Sequence, residues 1–188
     1  MTTMAPQKRT ERPAGTRQAP SLGMPDWGAA GWAALIAGTV FMFLELILLP
    51  LSKGGNAWAP VRMTAAVIWG RQILPPAPYL VDAAPNSGIF FTALALHYSL
   101  SLIYLRVLSA LIYKLDTKTA VLAGGFFGLI LYCANFYGFS GAFPWMAAAR
   151  GWATIVSNVC FGFVAAASYK LLEREEPLME TRTFEERF

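Results

Sequence analysis

Among the polar side chains inside the long apolar stretches of this 188-residue chain, six could form one site: Glu45, His97, Ser101, Tyr104, Asn135 and Asn158. Glu45 is the one acid in these stretches, and a carboxyl group in apolar surroundings can take up and release a proton. His97, Ser101 and Tyr104 follow one another at helical spacing, so they share one face of a helix. These residue types indicate either polar contacts between helices or a site for a proton or a small solute.

Two interpretations of these residues remain open. In the structural interpretation, Glu45 is protonated or hydrogen-bonded to His97, Tyr98 or an asparagine, and such contacts set the register of helices at ~0.6 kcal/mol each. In the functional interpretation, the same groups form a site that opens outward, because intramembrane acids are costly and usually face a cavity.

Residue patterns typical of enzymes are missing from the sequence. The chain has a single histidine, no phosphate-binding glycine loop followed by lysine and no HExxH motif. Cys133 and Cys160 lack the spacing of a metal site. Heme held by two histidines would need a homodimer that shares His97. We therefore predict a non-catalytic protein without metal or cofactor, whose small-molecule contacts are with lipid.

The elements that position these residues are membrane-spanning helices. Hydrophobic residues make up 56% of the chain and charged residues 14%, which indicates a membrane protein. Apolar stretches of about 20 residues, enough to cross a bilayer as helices, occur four times. We predict an all-α membrane protein with spans at about 32–51, 89–113, 119–139 and 151–171.

Polar segments flank this four-helix transmembrane domain, which we place at residues 28–172. Residues 1–27 are predicted to be a disordered cytoplasmic tail, because they are rich in proline and basic residues and lack apolar periodicity. Residues 173–188 are predicted to be a second cytoplasmic tail. With 1.5 Å of rise per residue, Glu45 lies about 9 Å and His97 about 12 Å below the outer boundary. Asn135 and Asn158 fall at similar depths, which places four helices around one polar layer.

Basic residues orient the spans. Ten Lys and Arg residues fall on the side of the two tails and of the 114–118 connection, against four on the other side. This bias predicts that both termini lie on the cytoplasmic side of the membrane. Because the basic residues flank apolar spans, we do not expect nucleic acid as a partner.

The first external loop, residues 52–88, carries its own helix signals. Pro60 can begin a short helix, and Gly70 and the prolines from Pro75 to Pro78 end it. Two interpretations remain open here: a helix that lies at the outer membrane interface, or an ordered loop packed over the mouth of the bundle.

Small residues recur at four-residue spacing along three spans, as in close helix packing: Ala34 and Gly38, Gly124 and Gly128, Gly162 and Ala166. These positions are predicted packing or partner contacts. They offer more faces than a four-helix bundle needs, so one of them could meet another subunit or a second copy of the chain.

A weak internal repeat predicts how the spans are paired. The second and fourth spans both close with Tyr-Lys-Leu, at 113–115 and 169–171, and each follows a span that contains an Ala-Gly pair. Such a repeat predicts two helical hairpins of the same orientation.

Several motifs resemble those of a known family. Phe-Met-Phe-Leu-Glu at 41–45, Pro-Val-Arg-Met-Thr-Ala-Ala at 60–66, Leu-His-Tyr-Ser-Leu-Ser at 96–101, Asn-Phe-Tyr-Gly-Phe at 135–139 and Phe-Pro-Trp-Met at 143–146 are similar to motifs of small, uncharacterised bacterial four-span membrane proteins. Some members carry the automatic label sodium:proline symporter, although four spans lack the paired broken helices of such symporters. The resemblance implies a four-span bundle over about residues 30–172.

We expect a non-catalytic inner-membrane protein, first of all an accessory or stabilising subunit of a larger membrane complex. The alternative is a small transporter or channel-like protein that uses the layer of Glu45 and His97. Four short helices leave little interior for a solute path, whereas spare packing faces suit docking onto other subunits.

Overall fold

The computed structural model describes residues 24–75 and 85–185, with side chains up to residue 173. Its five α-helices are α1 (Trp27–Lys53), α2 (Trp58–Trp69), α3 (Ser87–Ile112), α4 (Thr117–Cys133) and α5 (Trp152–Glu185). Shorter helical segments are Arg71–Ile73, Ala134–Gly138, Phe139–Gly141 and Pro144–Ala149. The described ranges contain no β-strand. Most of the predicted N-terminal tail lies outside them, as do residues 76–84 with most of the predicted proline stop.

Four of the helices are long and apolar enough to cross a membrane, at Trp27–Lys53, Ser87–Ile112, Thr117–Gly141 and Trp152–Glu173. The prediction of an all-α protein with four membrane-spanning helices is confirmed at this level. The pairing into two hairpins stays a prediction.

The helices begin where polar side chains cap them. Asp26 accepts a hydrogen bond from the backbone N–H of Ala29 at 2.9 Å, so α1 begins five residues before the predicted Trp32. Asn86 caps α3 in the same way through the N–H of Ile89 at 3.0 Å. Asp116 caps α4 and also accepts a hydrogen bond from the Thr119 hydroxyl, which lowers the pKa of that exposed carboxyl. At its other end, α5 continues as a helix into the predicted C-terminal tail, up to Glu185.

The core of the bundle is built on α1, α4 and α5. Helix α5 packs along both α1 and α4, and α3 packs against α1 and α2. Although α3 and α4 are consecutive spans, they make little contact with each other. The bundle is therefore tightly packed on the α4–α5 side and loosely packed between α3 and α4.

Small residues form the closest helix contacts. A Cβ atom on Gly162 would collide with the backbone of Gly124 and of Gly128, and one on Gly128 would collide with the backbone of Asn158. A Cβ atom on Gly38 would come within 2.9 Å of the Ser101 hydroxyl oxygen. All six small residues predicted as packing or partner contacts are buried inside the chain: Ala34, Gly38, Gly124, Gly128, Gly162 and Ala166. We call the α4–α5 contact of Gly124, Gly128, Gly162 and Ala166 the glycine seam.

Hydrogen bonds join the helices at the end of the bundle where both α1 begins and α3 ends. The backbone N–H of Asp26 donates to the Tyr169 hydroxyl at 3.2 Å. The Lys170 ammonium donates to the carbonyl of Tyr113 at 2.9 Å and to the carboxylate of Glu173 at 2.8 Å. This is the termini end of the bundle, and the opposite end, which carries α2, is the α2 end.

Helix α2 packs against α3 at the α2 end. The Trp145 indole N–H donates to the Met63 carbonyl at 3.2 Å, which ties α2 to the segment Pro144–Ala149. The loop thus contains a helix close to the sequence-predicted one, and this helix is packed onto the bundle. Its place at the outer membrane interface stays a prediction.

Candidate functional site

A cavity of about 310 Å³ lies in the half of the bundle nearer the α2 end. All six polar residues singled out from the sequence line it: Glu45, His97, Ser101, Tyr104, Asn135 and Asn158. The rest of the wall is mainly phenylalanine, leucine and methionine side chains from all five helices and from the segments that follow α4. An apolar pocket with a few convergent polar groups is typical of a small-molecule site. We call it the Glu45 cavity.

The buried carboxyl group of Glu45 has an oxygen atom without a hydrogen-bond partner in the described part of the chain. It is only 8% exposed, and among the residues that the structure describes its Oε1 atom has no hydrogen-bond partner. Ser157 on α5 is the side chain that lies beside the carboxyl group. Buried polar atoms are nearly always paired, so an unpaired carboxyl oxygen at a cavity wall calls for an explanation.

The other polar side chains have partners of their own. The Tyr104 hydroxyl donates to Asn135 Oδ1 at 2.8 Å, and the Asn158 amide donates to the Thr154 carbonyl at 2.8 Å. The Ser101 hydroxyl donates to the His97 carbonyl at 2.9 Å. These bonds are mostly local to one helix.

The structural interpretation has Glu45 either protonated or hydrogen-bonded to His97, Tyr98 or an asparagine. None of these side chains hydrogen-bonds to Glu45 within the described residues, so the protonated form is the part of that interpretation that stays a prediction. Each of these side chains has another partner: the Tyr98 hydroxyl, for example, lies 2.8 Å from the Thr39 hydroxyl. Glu45 therefore joins the layer through the cavity and through no side-chain hydrogen bond to these residues.

His97 is held in one orientation. Its Nε2 atom lies 2.8 Å from the Gly38 carbonyl, and its ring stacks on Phe41 with the centroids 5.6 Å apart. A carbonyl oxygen only accepts, so Nε2 must carry the hydrogen, which leaves Nδ1 as an acceptor in the neutral imidazole. Close approach at Gly38 is what lets the ring reach the α1 backbone.

The end of α4 changes its helical form beside the cavity. From Ala134 to Gly138 the backbone forms a π-helix, and a 3-10 turn follows at Phe139–Gly141. Asn135 and Phe136 of the π segment both line the cavity. A π segment inside a helix often marks a functional site, because it widens the turn and redirects side chains.

Arg150, which directly follows the segment Pro144–Ala149, stabilises the π segment and the turn after it. Its guanidinium donates to the Phe136 carbonyl at 2.8 Å and to the Ser140 hydroxyl at 2.9 Å, and it lies 4.2 Å from the centre of the Tyr137 ring. The Lys53 ammonium in turn donates to the Arg150 carbonyl at 2.7 Å. The carbonyls at the end of a helix lack partners within it, and a cation there satisfies them and the helix dipole.

Sequence reasoning missed both the π segment and the role of Arg150. Arg150 entered only as a charge that orients the bundle, and α4 was predicted to be regular through residue 139. The run of Gly138, Ser140 and Gly141 was the available signal, because two glycines around a serine weaken a helix and mark its irregular end.

The sequence matches no family model, no curated protein and no solved structure. The resemblance to small bacterial four-span proteins therefore stays a prediction, and function is inferred from the site alone.

Proposed function

We propose that this chain is a multi-pass membrane protein that takes a small molecule into the Glu45 cavity, as a small transporter or carrier does. The observation that carries the proposal is the unpaired Oε1 atom of Glu45 at the wall of a cavity lined by polar residues from α1, α3, α5 and the π segment. A bound molecule supplies the hydrogen bond that the protein leaves unmade. Binding energy is gained there because the carboxyl is already desolvated.

The contacts of Glu45 support small-molecule binding rather than a role in fixing the register of the helices. A residue that fixes helix register does so through bonds to neighbouring helices. Among the described residues Glu45 makes no side-chain hydrogen bond to the other members of its layer; Ser157 of α5 lies beside its carboxyl group, and the Oε1 atom is unpaired. A buried acid with an unpaired oxygen atom costs stability, and proteins retain such costs mainly at functional sites.

The expectation of an accessory subunit in a larger complex stays a prediction. It relied on spare faces of small residues for docking, and the six residues that form these faces are buried within the chain. For that reason the alternative, a small transporter-like protein, is the function that we favour.

We place both termini in the cytoplasm on the basis of the Lys and Arg distribution, and the protein in a bacterial inner membrane on the basis of its resemblance to small bacterial four-span proteins. Cysteine labelling tests this topology in a background where Cys133 and Cys160 are alanine. Cysteines at Thr16 and Glu180 should react only from the cytoplasmic side, and a cysteine at the exposed Ala57 only from outside. Labelling of position 57 from the cytoplasm contradicts the proposed orientation.

A hydrophobic carbodiimide tests whether the cavity admits a molecule from the membrane. Dicyclohexylcarbodiimide partitions into lipid and reacts with protonated carboxyl groups in apolar surroundings. We expect one adduct per chain, located at Glu45 by peptide mass mapping, because Glu45 is the buried acid that lines the cavity. A water-soluble carbodiimide should leave Glu45 unmodified.

Two matched variants on α3 locate the path of the reagent. Leu100 lines the cavity, whereas Leu102 is exposed on the outside of the bundle and does not line it. Leu100→Trp should fill the cavity and slow the reaction strongly, and Leu102→Trp should leave its rate unchanged. No modification of Glu45 in the unaltered protein, or equal rates in the two variants, would show that no small molecule reaches Glu45 through this cavity.

A further inference from the structure

We propose that the molecule bound in the Glu45 cavity is a lipid-soluble quinone, in which a neutral planar ring carries oxygen atoms and an apolar tail. The inference rests on the proposed function and specifies its ligand class. It is limited to binding, and it follows from the charge, the aromatic content, the hydrogen-bonding groups and the size of the cavity.

The charge of the wall favours a neutral ligand. Among the described lining residues there is one carboxyl group, one imidazole and no Lys or Arg. An anionic head, such as a fatty acid carboxylate or a phosphate, would lose its hydration without gaining a cation. The described part of the chain also has no group of three or more His, Cys, Asp or Glu that could hold a metal ion.

The aromatic content favours a planar ring. The cavity wall contains six phenylalanines, namely Phe41, Phe90, Phe136, Phe139, Phe143 and Phe161. Aromatic side chains pack on flat rings in offset or edge-to-face geometry with a gain beyond simple area burial. Met42, Met63 and Met146 also line the wall, and their unbranched thioethers adapt to ring substituents.

The hydrogen-bonding groups match ring oxygens. Asn135 Oδ1 is occupied by the Tyr104 hydroxyl, so the Asn135 amide nitrogen remains as a donor. Glu45 Oε1 is unpaired, and a neutral carboxyl group can both donate and accept. A quinone carbonyl accepts from these donors, and the hydroxyl of a reduced quinol donates to the carboxyl.

The cavity is large enough for the ring of a quinone, and the apolar tail must extend out of it. A volume of about 310 Å³ is at the lower end of the usual range of ~300–1,000 Å³ for ligand pockets. Phe139 lines the cavity and its side chain is 54% exposed, so we place the exit of the tail beside it. Phe139 belongs to the membrane-spanning segment Thr117–Gly141, so a tail that leaves at this point enters lipid.

The test is binding of a decyl-tailed dimethoxy-methyl-benzoquinone to the full chain in mild detergent, measured by native mass measurement of the complex. We expect saturable binding of one quinone per chain. Decanoic acid, which has a similar tail and an anionic head, should fail to displace it at equal concentration. Displacement by decanoic acid would show that the tail alone is recognised and would overturn the proposal.

The matched α3 variants locate the bound ring. Leu100→Trp should weaken quinone binding by about tenfold or more, and Leu102→Trp should leave it unchanged. Glu45→Leu, whose side chain can neither donate nor accept a hydrogen bond, should also weaken binding. Equal binding by Leu100→Trp and Leu102→Trp, with both variants folded, would place the quinone on the outer surface and overturn the proposal.

The experiments distinguish two cases: the ligand is not a quinone, or the cavity binds no small molecule at all. If the quinone does not bind but dicyclohexylcarbodiimide still modifies Glu45, and Leu100→Trp slows that reaction, the cavity function stands and the quinone is wrong. If neither reagent reaches Glu45, both proposals fail.

Discussion

Replacing Glu45 with leucine should make the protein more stable and abolish its function. The carboxyl group is buried, and its Oε1 atom has no partner among the described residues. Removal of an unsatisfied buried polar group relieves a desolvation penalty of about 1–3 kcal/mol. We expect Glu45→Leu to raise the free energy of unfolding by an amount in this range, measured by thermal unfolding in detergent beside solute or proton uptake in proteoliposomes.

Glu45→Gln is the matched control, because it keeps the size and polarity of the side chain. Its stability should stay close to that of the unaltered protein, since the amide is as deeply buried as the carboxyl. Uptake should be lost in both variants, because neither glutamine nor leucine can exchange a proton. The opposite order, with leucine the least stable of the three, would support the interpretation in which Glu45 sets helix register.

Gly162→Leu should prevent the bundle from forming. A Cβ atom alone at this position would meet the backbone of Gly124 and Gly128, and backbone atoms cannot move aside as a side chain can. Even Gly162→Ala should cost about 1–3 kcal/mol, the usual range for overpacking a close contact. Yield of monodisperse protein and thermal unfolding in one detergent measure both effects.

Gly31 provides the control for this substitution. It lies in α1, and a Cβ atom added there meets nothing within 4 Å. Gly31→Ala should therefore leave stability unchanged or raise it slightly, since alanine favours the helix more than glycine does. Equal losses from Gly31→Ala and Gly162→Ala would mean that the glycine seam does not hold α4 and α5 together.

The spans could be predicted from sequence because length and apolarity alone determine them. About 20 apolar residues suffice to cross a bilayer, and the structure places helices over all four predicted stretches. The start of α1 was misplaced because the prediction followed the apolar run, whereas the helix begins at its cap, Asp26. Capping depends on one side-chain hydrogen bond, and a hydropathy pattern gives no information on it.

The polar residues of the site could also be identified from sequence, because depth follows from helical rise. Their hydrogen-bond partners could not be identified from the sequence. Tyr104 and Asn135 are 31 residues apart and meet only because α3 and the π segment that follows α4 come together at that level. The π segment depends likewise on Arg150, which hydrogen-bonds to the Phe136 carbonyl 14 residues earlier in the chain. Sequence spacing within one helix carries no information on such contacts.

The glycine seam has a consequence for how this protein can change in evolution. The contacts that hold α4 and α5 together rest on a handful of small residues, while large apolar side chains such as Leu111, Leu122 and Phe126 are exposed on the outside of the bundle. In lipid, an outward position needs only to remain apolar, so it can drift among leucine, isoleucine, valine and phenylalanine without loss of the fold. Two descendants of one ancestor could thus keep the seam and the buried acid and share little else. We therefore expect the spacing of Gly124, Gly128 and Gly162 together with Glu45 to identify relatives better than overall identity does.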